Sequence, residues 1–190
     1  NDTIPGVRKT LIEEEEFDAF ESIADYTNFE PRLSINYSLT EFSSIKASYN
    51  RMSQYLHLIS NTIASTPVDL WLPTTNNLKP QLADQIAVGY FRNFSNNTYE
   101  ASVEVFAKDF QNQVEYIDNA DIFFNEELEG DLLSGDGRAY GLELFLKKNK
   151  GPLTGWVSYT LSRSERQVNG INNNDWYPSR FDRMHNLSVV

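Results

Sequence analysis

The chain has 190 residues, 27 acidic against 16 basic, a net charge of -11, two histidines and no cysteine. That length allows one domain or part of a larger one, and the missing thiols exclude disulfides, thiolate nucleophiles and cysteine-based zinc sites. Nucleic acid is not expected as a partner, because neutralising phosphates requires a cluster of lysine and arginine that this sequence does not contain.

Residues 1–28 carry the weakest pattern. Asn1-Asp2-Thr3-Ile4-Pro5 lacks the basic start and apolar core of a secretion signal, so we expect a mature chain or a stretch from the interior of a longer one. Thr10-Leu11-Ile12-Glu13 has the form of a helix capping box, but the run Glu13 to Glu16 fits a solvated connection better. We expect residues 1–28 to be an acidic loop or the end of a preceding segment, and residues 29–190 to form one unit.

From Phe29 the pattern has a period of two, the mark of a strand. Leu33, Ile35, Tyr37 and Leu39 alternate with Arg32, Ser34, Asn36 and Ser38, and after the turn Thr40 to Ser44 the residues Ile45, Ala47 and Tyr49 alternate with Lys46, Ser48 and Asn50. Ser60 to Asp84, with Pro67, Pro73 and Pro80, is expected to be a loop. Ile86, Val88 and Tyr90 then mark a strand, Asn93 to Asn97 a turn, and Tyr99, Ala101, Val103, Val105 and Ala107 the next strand. A second, acidic loop is expected from about Ile117 to Gly137.

The clearest hairpin follows. Tyr140, Leu142, Leu144 and Leu146 share one face, Lys148-Asn149-Lys150-Gly151-Pro152 turns the chain, and Val157, Tyr159 and Leu161 return on the same face. A third loop, Ser164 to Phe181, leads to a last strand with Leu187 and Val189. Each arm of the hairpin runs close to ten residues, where soluble strands usually have about 5 to 6 and a tilted membrane-crossing strand needs about 9 to 11.

The connections alternate between short and long, and successive antiparallel strands reverse direction. All short turns therefore lie at one end of the sheet and all long loops at the other, as in outer-membrane barrels. Tyr37, Tyr90, Tyr99, Tyr140 and Tyr159 all fall on the apolar face, as girdle residues do. The expected fold is all-β, an antiparallel up-and-down meander of about seven long strands forming part of a transmembrane β-barrel. The polar face, with Arg32, Asn36, Glu100, Glu104, Glu143 and Trp156, would be its lumen. The competing reading is a soluble, secreted all-β carbohydrate-binding module that buries the same apolar face against a second sheet. It accounts for the alternation but not for long loops confined to one end.

Five stretches carry a family resemblance: Glu30-Pro31-Arg32-Leu33-Ser34, Leu70-Trp71-Leu72-Pro73 with Leu78-Lys79-Pro80-Gln81, Tyr140-Gly141-Leu142-Glu143, Gly155-Trp156-Val157-Ser158-Tyr159, and Asp182-Arg183-Met184-His185-Asn186. In this order they resemble the barrel of TonB-dependent outer-membrane receptors of the Bacteroidetes type. The resemblance implies a 22-stranded transmembrane barrel in the cell outer membrane, with a separate plug domain through which the TonB complex delivers energy. It implies uptake of a scarce nutrient such as an iron chelate, cobalamin, an oligosaccharide or a peptide, in some relatives together with a surface lipoprotein. This sequence contains neither plug nor TonB box.

No enzyme chemistry is legible: there is no G-x-S-x-G, phosphate-binding glycine loop or H-E-x-x-H, and no cofactor is expected. The acidic stretch Asp118 to Asp131 has calcium-type ligands without EF-hand spacing, so no metal site is assigned. Contact with a small nutrient ligand is expected from the long connections, at Tyr55, Asp69, Trp71, Asn174, Trp176 and Tyr177, because flat rings stack on sugars or chelates while polar neighbours fix orientation.

Overall fold

A computed structural model of the chain describes residues 24–59, 70–116 and 128–190. The stretch Thr10 to Glu16, Asp69, and the acidic run from Asp118 to Glu127 lie outside the described residues.

Among the described residues ten strands follow one another: β1 (Arg32–Thr40), β2 (Ser43–Gln54), β3 (Leu56–Ile59), β4 (Leu70–Pro73), β5 (Gln81–Phe94), β6 (Tyr99–Tyr116), β7 (Leu132–Lys148), β8 (Gly155–Val168), β9 (Tyr177–Pro178) and β10 (His185–Val189). Seven of them form the main path, in the order β1-β2-β5-β6-β7-β8-β10, every pair antiparallel. β9 adds to β8 beyond the end of β10, and β3 with β4 makes a separate hairpin. The meander is therefore the expected one, with no crossover.

The strands overrun three of the expected loops. Residues assigned to the first loop form β4 and the start of β5, and the second loop loses 132–137 to β7. The third loop loses 164–168 to β8, and holds a short 3-10 turn at Asn172–Asn174 and then β9. Two local features hid this. β6 carries a bulge between Phe110 and Gln113, where Asn112 sits at φ 57, so one extra residue swaps the faces of everything beyond it and the period of two is lost. Gly135 and Gly137 look like turn residues, but β7 needs them for close approach: a side chain at Gly135 would run into the Gln167 carbonyl and Val168.

Strand pairing turns local alternation into one continuous apolar face. Ile35, Ala47, Val88, Val105, Leu142 and Leu161 lie on one rung across six strands, and Tyr37, Ile45, Tyr90, Val103, Leu144, Tyr159 and Leu187 on the next across all seven. The face is uncovered: Ile35 is 60 % exposed, Ile86 55 % and Val105 51 %. Among the described residues only Leu78, Ala87 and Val168 are buried hydrophobics, and none of the described residues forms a second sheet packed on this face as a soluble sandwich would require.

Charged residues bound the band. Towards the long connections Arg51, Asp84, Asp109, Arg138 and Glu165 form a single rung on the apolar face, and towards the short turns come Arg92 and Lys148. On β7 the band runs between Arg138 and Lys148, enclosing Tyr140, Leu142, Leu144 and Leu146. Ten residue steps at about 3.3 Å span roughly 33 Å along the strand, which a tilt of about 40° projects to roughly 25 Å, the height of the apolar band of an outer-membrane barrel. Within the band the Tyr159 hydroxyl and Nδ1 of His185 are paired at 2.8 Å.

No helix among the described residues is long and apolar enough to cross a membrane, which leaves crossing by strands untouched. The charge is divided unevenly along the chain. Twelve of the 27 acidic residues but only Arg8 and Lys9 of the 16 basic ones fall outside the described residues, so the strands and their described connections hold 15 acidic and 14 basic groups. The wall itself is nearly neutral.

Candidate functional site

The polar face is the opposite set of residues on the same strands. Lys46, Gly89, Glu104, Glu143, Thr160 and Asn186 form one rung, so Glu104 and Glu143 stand directly opposite each other on β6 and β7. Neither carboxylate has an ion pair among the described residues, and like charges so placed repel. Gly89 leaves room for Glu104, whose Oε2 lies 3.0 Å from where a Cβ of residue 89 would stand.

Aromatic rings flank this acidic pair. Phe145 and Trp156 pack with centroids 6.1 Å apart, and Lys46 places its Nζ 4.3 Å from the Phe91 centroid. Arg32, Asn36, Glu100, Glu104, Glu143 and Trp156 all fall on this face by strand register, as their alternation predicts.

Towards the long connections the polar face ends in two hydrogen-bonded groups. Beyond the β6 bulge, Glu115 turns to the polar face, where Arg166 donates to it at 2.6 Å and Arg180 pairs with its other oxygen. Two guanidiniums thus share the two oxygens of one carboxylate. The second group joins β3, β5 and β6: Gln113 donates to Gln81 at 3.0 Å, and Gln81 lies 3.0 Å from Nδ1 of His57. The Gln81 amide nitrogen can only donate, so Nδ1 accepts and the proton of a neutral His57 sits on Nε2. Among the described residues that Nε2 has no partner, and burial pushes the His57 pKa down.

The expected ligand residues fall into two groups. Tyr55 and Trp71 belong to the connection that carries β3 and β4: the Tyr55 carbonyl accepts from Thr74 N–H, its hydroxyl from Asn28, and Trp71 is 56 % exposed beside Leu58. Asp69 of the same connection lies outside the described residues. Asn174, Trp176 and Tyr177 belong to the connection after β8. Asn174 braces it, accepting from Gly170 N–H on its side chain and from Gln167 on its carbonyl, both at 2.7 Å. Tyr177 pairs with Arg166 on the polar face.

Trp176 faces the other way, with the Arg138 guanidinium 4.1 Å from its ring centroid on the apolar side. There Arg138 is bonded to Glu165 at 2.8 Å, Glu165 to Arg163 at 3.4 Å and Arg163 to Asp182 at 3.0 Å. Sequence reasoning missed Gln81, Gln113, Glu115, Arg166 and Arg180 as neighbours, because strand pairing brings them from separate stretches. The spacing of Arg163, Arg166 and Arg180 near Glu165 was the one available signal. Among the described residues no group of His, Asp and Glu could hold a metal ion.

Against models of known families, residues 4–189 match the one described as TonB dependent receptor-like, beta-barrel. No curated protein and no solved structure matches the chain.

Proposed function

Because the chain belongs to the TonB-dependent receptor β-barrel family, whose members are receptors and transporters of the outer membrane, we propose that residues 29–190 form part of the wall of a 22-stranded receptor of the Bacteroidetes type. Residues 1–28 then lead into this segment. The intact protein takes up a small nutrient, an iron chelate or oligosaccharide or one of similar size, with energy delivered through TonB to a plug domain, in some settings beside a surface lipoprotein.

One observation carries this reading. Among the described residues the seven-strand meander presents an uncovered apolar band bounded on both sides by charge, while β1 and β10 each pair on one side only. In hydrocarbon every backbone donor and acceptor must be paired, so such a sheet has to continue into further strands and close. The polar face, with the opposed Glu104 and Glu143, then lines the lumen. At the outer mouth Tyr55, Trp71, Asn174 and Tyr177, with Asp69, contact the nutrient, whereas Trp176 anchors the wall at the water boundary.

The test is an immunoblot of membrane fractions from the source organism, with an antibody to residues 118–131. The expected band lies in the outer membrane at several times the 21.8 kDa of this chain. A band near 21.8 kDa in the soluble fraction would overturn the reading in favour of a secreted binding module.

A further inference from the structure

The two rims of the apolar band differ in how their charges are used. On the long-connection side Arg51, Arg138 and Arg163 each face a carboxylate, Asp84, Glu165 and Asp182 respectively. On the short-turn side Arg92 stands opposite Ser43 and Ala101, and its guanidinium has no ion pair or hydrogen bond among the described residues. A guanidinium left without an anion at the edge of a lipid-facing surface requires an explanation.

Beside it, a cleft of about 630 Å³ opens on the apolar face between the β1–β2 turn and the β5–β6 turn. Leu39, Phe42, Tyr90 and Phe94 form its apolar walls, the polar residues of the two turns and strand ends, Thr40, Ser43, Asn93, Ser95 and Asn96, complete its lining, and Arg92 is its one charged residue. The cleft is braced: Asn93 N–H donates to the Phe42 carbonyl at 2.8 Å, which joins the two turns, and Ser95, Asn96 and Asn97 hold the second turn at φ 52, 53 and 60. Phe94 stacks on Tyr99 at 5.4 Å, and Lys148 lies 6.0 Å from the Tyr99 ring, so a second cation stands along the same rim.

We propose that this cleft holds a phospholipid of the leaflet nearer the short turns, with Arg92 on its phosphate and the walls along the start of an acyl chain. The proposal rests on the outer-membrane reading given above. Charge complementarity selects the occupant: the planar fork of arginine matches a phosphate oxygen pair, and apolar walls that continue into the band match the chain below it. A free anion would use Arg92 and leave the four apolar walls exposed to water.

The experiment is native mass spectrometry of the full-length receptor extracted from outer membranes and titrated with palmitoyl-oleoyl-phosphatidylglycerol. Wild type should retain the lipid, and Arg92→Gln should bind it about tenfold more weakly, as expected for loss of one charge-assisted contact. Phe42→Ser, in the turn outside the paired strands, should weaken retention as well, and serves as the test if Arg92→Gln does not fold. Folding of each variant is read from its heat-modifiable migration on gels. Equal lipid binding by wild type and the folded variants would overturn the proposal, as would displacement of the lipid by inorganic phosphate at the same concentration. Absence of the receptor from the outer membrane would instead remove the reading on which the proposal rests.

Discussion

Replacing Leu144 by arginine tests the assignment of faces and depths together. Leu144 lies on the apolar face, six residue steps from Arg138 and four from Lys148 along β7. At roughly 2.5 Å of height per residue in a tilted strand, it sits about 10 Å inside the nearer boundary. Val157 pairs with Leu146 and lies only about 5 Å inside, within reach of a snorkelling arginine. Ser158, next to it, belongs to the polar face opposite Phe145. Leu144→Arg should therefore destabilise the barrel by about 2 to 4 kcal/mol and Val157→Arg by up to about 1 kcal/mol, while Ser158→Arg should cost less than either. The assay is urea unfolding of the full barrel reconstituted in phospholipid vesicles, followed by tryptophan fluorescence. Equal costs at Leu144 and Ser158, or a greater cost at Val157 than at Leu144, would refute the facing and the depth scale respectively.

Three further outcomes follow from the polar face and the outer connections. Glu143→Gln removes a carboxylate directly opposite Glu104 and should stabilise a barrel prepared without its plug by about 0.5 kcal/mol in the same urea assay; a loss of stability there would show that the pair is already neutralised within the wall. Burial holds the His57 pKa below its free value, so the docked β3–β4 hairpin has its full stability above about pH 6.5 and loses it as pH falls from there towards the depressed pKa. The protection factors of residues 56–59 and 70–73 against hydrogen exchange, which remove the pH dependence of the intrinsic rate, should fall below that pH in wild type but not in His57→Asn, and pH-independent protection factors in wild type would contradict this. Trp176→Ala should cost about 0.5 to 1 kcal/mol through the lost contact with Arg138 and leave nutrient binding unchanged. Trp71→Ala should do the reverse, weakening binding with stability within about 0.5 kcal/mol, and calorimetry with unfolding curves distinguishes the two patterns.

The strand content was legible because facing is local. Leu33, Ile35 and Tyr37 alternate with serine and asparagine whatever they pair with, and Lys148 to Pro152 must turn wherever the strands lie. The short-turn ends were therefore read closely. The long-connection ends were not: the bulge at Asn112 swaps the faces of the last part of β6, and glycines that serve close packing at Gly135 and Gly137 look like a turn. The six expected ligand residues were chosen by type and by connection, and type alone does not say that Trp176 turns to Arg138 while Tyr177 turns to Arg166.

By itself the sequence determined two faces, the ends of the strands that carry short turns, and an apolar surface too long and too open for an ordinary soluble sheet. These are properties of residues two apart on one chain. Register belonged to the tertiary structure, and register is what places Glu104 against Glu143, two arginines on Glu115, and Arg92 in an apolar cleft without an anion. A slip of one residue between neighbouring strands would leave each strand's own alternation intact yet destroy each of those pairings, because cross-strand contacts depend on which residues meet and not on the pattern each strand carries alone.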